Sequence, residues 1–123
     1  MQITKNFHIR EFYCNDGTRI PKEYIDNVIR LAENLQVLRD LIEKPIRINS
    51  AYRHREYNKK VGGAKNSQHL TASAADIVVD GVDPREIADL IESLIFAKKM
   101  DEGGLGRYNT FTHYDVRQYR SRW

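Results

Sequence analysis

The sequence predicts an α+β fold, a small and mostly antiparallel sheet packed against helices. Three observations carry this. Two long segments, 22–43 and 82–100, repeat apolar residues at helical spacing. Two short runs between them, "PIRINSAYR" and "AADIVV", read as strands. After the second helix, "GGLGRYNTFTHYDVR" reads as two strands joined by a tight turn near Asn109.

Each element has its own signals. In "KEYIDNVIRLAENLQVLRDLIE" (22–43), Ile25, Val28, Leu31, Ala32, Leu35, Leu38 and Ile42 fall on one stripe. Pro21 suits its start and Pro45 lies just past its end. A short polar helix is expected over "REYNKK", closed by Gly62-Gly63. In the second long helix Asp83 is the expected cap, Pro84 the first turn, and Glu86 the partner in a capping box. Its core stripe is Ile87, Leu90, Ile91, Leu94 and Ile95.

The chain has 123 residues, 41% hydrophobic and 30% charged, which suits one soluble domain over 1–123. No apolar stretch approaches the ~20 residues of a membrane span. "MQITKNFHIREF" has no apolar signal core, so the chain is expected to be cytoplasmic as synthesised. Cys14 is the only cysteine. An intramolecular disulfide and a cysteine-rich zinc site are therefore excluded, and Cys14 reads as a buried apolar residue. The net charge is only +3. The basic, tyrosine-bearing stretch "DVRQYRSRW" admits a polyanion partner, but a solvated surface is the preferred reading and no nucleic acid is expected.

The chemistry gathers around Asp76, which sits inside the apolar run "AADIVV" with His69 seven residues before it. In the last strand, alternation puts Phe111, His113, Asp115 and Arg117 on one side. A helix followed by a hairpin can return that strand beside Asp76. Two histidines and a carboxylate form a common catalytic zinc set with a fourth position open. A cation would also offset the cost of burying Asp76. Spacing alone leaves the alternative open, an aspartate paired with an arginine and two unrelated histidines.

The surrounding residues add to this. "NSAYRHREYNKKVGGAKNSQHLTASAADI" resembles the signature of the M15 zinc peptidases, the D-alanyl-D-alanine carboxypeptidases and related endopeptidases of bacterial cell walls, whose fold is shared with the Hedgehog signalling domain. "GGLGRYNTFTHYDVRQYRSRW" resembles the closing segment of small phage and prophage members, and "NFHIREFYCNDG" and "NLQVLRDLIEKPIRINSAYR" are similar to the same subgroup. The resemblance implies Zn2+ held by His69, Asp76 and His113. It implies Arg53 at the substrate carbonyl and Ser67 as a hydrogen-bond partner of substrate. The substrate would be a peptidoglycan stem peptide, cut between two D-alanines or between L-alanine and D-glutamate. A monomer is expected, reaching the wall by lysis or through a holin.

The sequence departs from that pattern twice. Ala72 replaces a glycine, which matters if the backbone there needs positive φ. Thr110 stands where many relatives carry the general base. Asp115 is then the nearest carboxylate by strand geometry. It can serve as the base, orient His113 or pair with Arg117, and the orienting role is preferred. His54 reads as a helix-surface residue, and Tyr108 as lining the cleft or packing in the sheet. A zinc-bearing binding module that has lost hydrolysis is the alternative to the enzyme.

Overall fold

The computed structural model describes residues 1–123. Helix α1 (Ile25–Ile42) follows a single 3-10 turn at Lys22–Tyr24, so the predicted helix begins with a tighter turn. Val28, Leu31, Ala32, Leu35 and Leu38 are buried along its stripe. It ends at Glu43, which is left-handed (φ 54°) just before Lys44-Pro45. Strand β1 (Arg47–Ser50), helix α2 (Arg55–Lys60), a 3-10 turn at Gln68–Thr71 and strand β2 (Ala74–Val78) follow. Then come helix α3 (Pro84–Phe96) and strands β3 (Gly104–Arg107), β4 (Thr112–Asp115) and β5 (Ser121–Arg122).

The sheet order is β1-β2-β4-β3-β5. Every pairing is antiparallel except β3 with β5, which is parallel. The α+β expectation and the mostly antiparallel sheet are thus observed, with β5 as an added edge. Helix α3 carries the chain from β2 over to β3, and the hairpin then returns β4 between them. That crossover places Asp76 opposite His113.

The two faces of the sheet are built differently. Ala75, Ile77, Leu105, Thr112 and Tyr114 are buried, and by alternation they share the face toward the helices. Tyr114 is 0% exposed, yet its hydroxyl donates to the Asp101 carbonyl at 2.6 Å, so its burial leaves no unpaired polar atom. On the other face stand Ala74 and Asp76 of β2, His113 and Asp115 of β4, and only glycines, Gly104 and Gly106, from β3. The helices fill one face with volume; the other is kept open.

Two local expectations are corrected. Asp83 does cap α3, accepting from the Arg85 N–H at 2.9 Å, but its carboxylate also binds the Arg85 guanidinium and no reciprocal bond from Glu86 forms. The closed capping box is instead that of His8 and Glu11 in the first 3-10 turn, Ile9–Phe12. The basic stretch at the end of the sequence is not a free solvated surface. Arg117 pairs with Asp115, Arg120 with Glu92 and Glu102, and Arg122 with Glu92.

These ion pairs make β5 sensitive to acid. Hydrogen bonds from Arg122, and secondarily from Arg120, hold the Glu92 carboxyl down at about 2 against an ordinary 4.5. A carboxylate depressed by folding contributes stability that is complete above its unfolded pKa and fades as pH falls through the folded one. The docking of β5 should therefore weaken between pH 4.5 and about 2. Trp123, the single tryptophan, reports this by its fluorescence. Glu92→Gln should already show the loosened signal at neutral pH and respond less to acid in that window.

Candidate metal centre and its cleft

His69 is delivered by the 3-10 turn before β2. Ser67 caps that turn, its Oγ accepting from the His69 N–H at 3.1 Å. The turn ends at Ala72, which has φ 59°. The departure from glycine thus falls on a left-handed residue, where a side chain costs about 1 kcal/mol. Burial of the Ala72 methyl, worth about 0.8 kcal/mol, offsets most of that.

Each imidazole is fixed by what its second nitrogen meets. The Ala51 carbonyl lies 2.6 Å from His69 Nδ1 and can only accept, so Nδ1 carries the proton and Nε2 presents a lone pair. Asp115 Oδ2 lies 2.7 Å from His113 Nε2, so that nitrogen donates and Nδ1 is the free one. Both free nitrogens converge on Asp76 Oδ1, at 3.3 Å from His69 Nε2 and 3.0 Å from His113 Nδ1. All three residues are buried, and their ligand atoms lie within 4.8 Å of one another. Burial pushes the Asp76 carboxyl up, but the His113 and His69 imidazoles closing on it outweigh burial and hold the group well below the usual carboxylate range. Two imidazole lone pairs and an ionised carboxylate, each preset, are a donor set that fits a divalent cation.

Asp115 is 0% exposed and fully engaged. Its Oδ1 accepts from the Gly104 N–H and from Nε of Arg117, and its Oδ2 from His113 and the Arg117 terminal nitrogen. A side chain at Gly104 would collide with this carboxylate, which explains the glycine. Asp115 has no path to the cleft, so the base role considered from the sequence is not supported and the orienting geometry is present. Asp115→Asn is expected to weaken metal affinity by ~10–100-fold, with activity largely returning at saturating metal. Calorimetric metal titration beside turnover checks this. A loss of ~100-fold in kcat with unchanged metal affinity would restore the base role.

Arg53 faces the same space. Its Nε donates to Ser50 Oγ at 3.0 Å, and its terminal nitrogens reach Asn58 Oδ1 at 3.3 Å and Asp76 Oδ2 at 3.4 Å. Arg53, Ser67, His69, Asp76 and His113 all line one cleft of about 570 Å³, within the ordinary size of a small-ligand site. Tyr108 lines it too. Thr110 is exposed in the turn between β3 and β4.

His54 is more than a surface residue. Its Nδ1 accepts from the Tyr57 N–H at 3.3 Å, capping α2, and its Nε2 lies 2.6 Å from Asp16 Oδ2. Cys14 stands beside the pair and is buried, as expected. With Nδ1 accepting, Nε2 must carry the proton toward Asp16, so this second trio clamps the loop at Asp16 to α2 and does not present a lone pair for a metal. No spacing or motif links Asp16 to His54.

A cleft with a preset two-histidine, one-carboxylate donor set and a fixed guanidinium is compatible with metal-dependent hydrolysis. The family model described as Peptidase M15 matches residues 5–115. The chain belongs to the peptidase M15 family, whose members are metallo-enzymes. Among curated proteins no match was found.

Proposed function

We propose that the protein is a zinc-dependent peptidase that hydrolyses stem peptides of bacterial peptidoglycan. The convergence of His69 Nε2 and His113 Nδ1 on Asp76 Oδ1, beside Arg53, is the observation that carries this reading. Zinc bound by His69, Asp76 and His113 would supply water activation and carbonyl polarisation. Binding and orientation fall to the chain's own residues. The Arg53 guanidinium is held from three sides and holds the substrate carbonyl oxygen as it gains charge. Ser67 uses its Oγ lone pair on the His69 N–H and keeps its hydroxyl proton to donate to the peptide. Ala51 and Asp115 keep both imidazoles in the tautomers that ligation needs.

One observation favours a second reading. Asp76 is the only carboxylate among the residues lining the cleft. A zinc-bearing module that binds wall peptide with little or no turnover would need no separate proton acceptor. Digestion of purified peptidoglycan, with and without a chelator, and mass analysis of the released fragments decide between the two. Chelator-sensitive release of peptide fragments supports the peptidase. Retention on peptidoglycan with no release supports the binding module.

A further inference from the structure

The stretch "DVRQYRSRW" remains to be explained once its arginines are found in ion pairs. What it contributes to the cleft is Trp123, which completes an aromatic wall with two residues of the β3–β4 connection. Tyr108, Phe111 and Trp123 all line the cleft. Tyr108 and Phe111 stack with centroids 4.3 Å apart and rings 12° from parallel. Trp123 lies against the His113 ring at 4.9 Å and donates from Nε1 to the Tyr108 hydroxyl at 2.7 Å. Its backbone is tied on both sides, N–H to the Leu105 carbonyl and carbonyl to the Arg107 N–H. Gly106 makes the space, since a β-carbon there would stand 2.6 Å from the indole. The Arg117 guanidinium sits 5.2 Å from the indole centroid.

These contacts tie the wall together, yet Tyr108 is 40% and Trp123 45% exposed. Large aromatic side chains fixed at a cleft mouth and left half in water mark a binding surface. Its chemistry is amphipathic, with flat electron-rich faces edged by a phenol hydroxyl and a guanidinium. A nucleic acid would need free cations, and Arg107, Arg117, Arg120 and Arg122 are each engaged by a carboxylate. A stem peptide of alanine, glutamate and a diamino acid offers no flat apolar group to such a wall. A pyranose ring does, because its axial C–H bonds form a face that stacks on an aromatic ring while its hydroxyls meet polar edges. The stem peptide is attached to such a ring in peptidoglycan.

Resting on the peptidase reading above, we propose that Tyr108 and Trp123 form a subsite for an amino-sugar ring of the glycan strand, placing the attached peptide across the metal centre. The probe is the disaccharide of N-acetylglucosamine and N-acetylmuramic acid without peptide, titrated into the metal-loaded protein while Trp123 fluorescence is followed. It contains no peptide bond, so the result is independent of turnover. A saturable change is expected, and Tyr108→Ala should weaken the affinity by about fivefold or more, with the melting temperature of the variant confirming its fold. The same stem peptide without sugar serves as the second arm. No saturable change with the disaccharide overturns the proposal, whatever the variant does. A change with the peptide alone is expected from binding at the metal centre beside Trp123 and should survive Tyr108→Ala; if that variant weakens it as much as it weakens the disaccharide, the wall belongs to peptide and the proposal is overturned, with the peptidase reading intact.

Discussion

Replacing His113 by alanine is expected to abolish stoichiometric metal binding and, with it, peptide hydrolysis. In the proposed site its Nδ1 would supply one of three protein donors, and the two that remain would not hold a catalytic ion in place. The change also leaves Asp115 Oδ2 without its imidazole partner in a fully buried position, so some loss of stability accompanies it. Two further variants separate the effects. His69→Ala removes a donor on the other side of Asp76, and Asp76→Asn keeps the shape while removing the charge on which both imidazoles converge. All three should lack metal by elemental analysis while circular dichroism shows the α+β fold. Full metal content in both histidine variants would mean that the site lies elsewhere.

Arg53→Lys should behave in the opposite way, keeping metal and fold but losing turnover. A lysine ammonium is a point charge on a flexible stem. It cannot bridge Ser50, Asn58 and Asp76 as the planar fork does, and so arrives at the carbonyl without a fixed direction. Loss of one well-placed oxyanion donor costs ~10²–10³ in kcat. The expected signature is a kcat reduced by about that factor, with a smaller change in KM and unaltered metal stoichiometry. An unchanged kcat on peptidoglycan fragments would remove Arg53 from the chemistry.

Much of this was legible in the sequence where a pattern repeats locally. The stripes of α1 and α3 follow from three- and four-residue spacing, and α2 follows from a short polar run closed by glycines. Alternation placed His113, Asp115 and Arg117 on one side of β4, and the structure joins them by hydrogen bonds. The capacity of Asp76 to sit in an apolar strand was a signal because charge in such a place needs partners. What escaped was non-local. Strand β5 has two residues, and only its pairing with β3 and the reach of Arg122 to Glu92 define it. The charges of Arg120 and Arg122 read as solvated because their partners lie on α3 and just before β3. The clamp of His54 on Asp16 joins residues 38 positions apart, with no motif between them. The order of α3 and the hairpin suggested that His113 could meet Asp76, while the tautomer of His69 depended on the Ala51 carbonyl, which only packing supplies.

The crossover of α3 also has a kinetic side. Asp76 and His113 are 37 positions apart, and the loop between them must close before the two side chains meet. The donor set is complete only once β2 and β4 have paired, so if that pairing follows the folding transition state an ion has no complete site there. An interaction absent from the transition state leaves the folding rate alone and slows unfolding. Bound metal should act on this chain as a brake on opening, lengthening the lifetime of the folded molecule without hastening its formation.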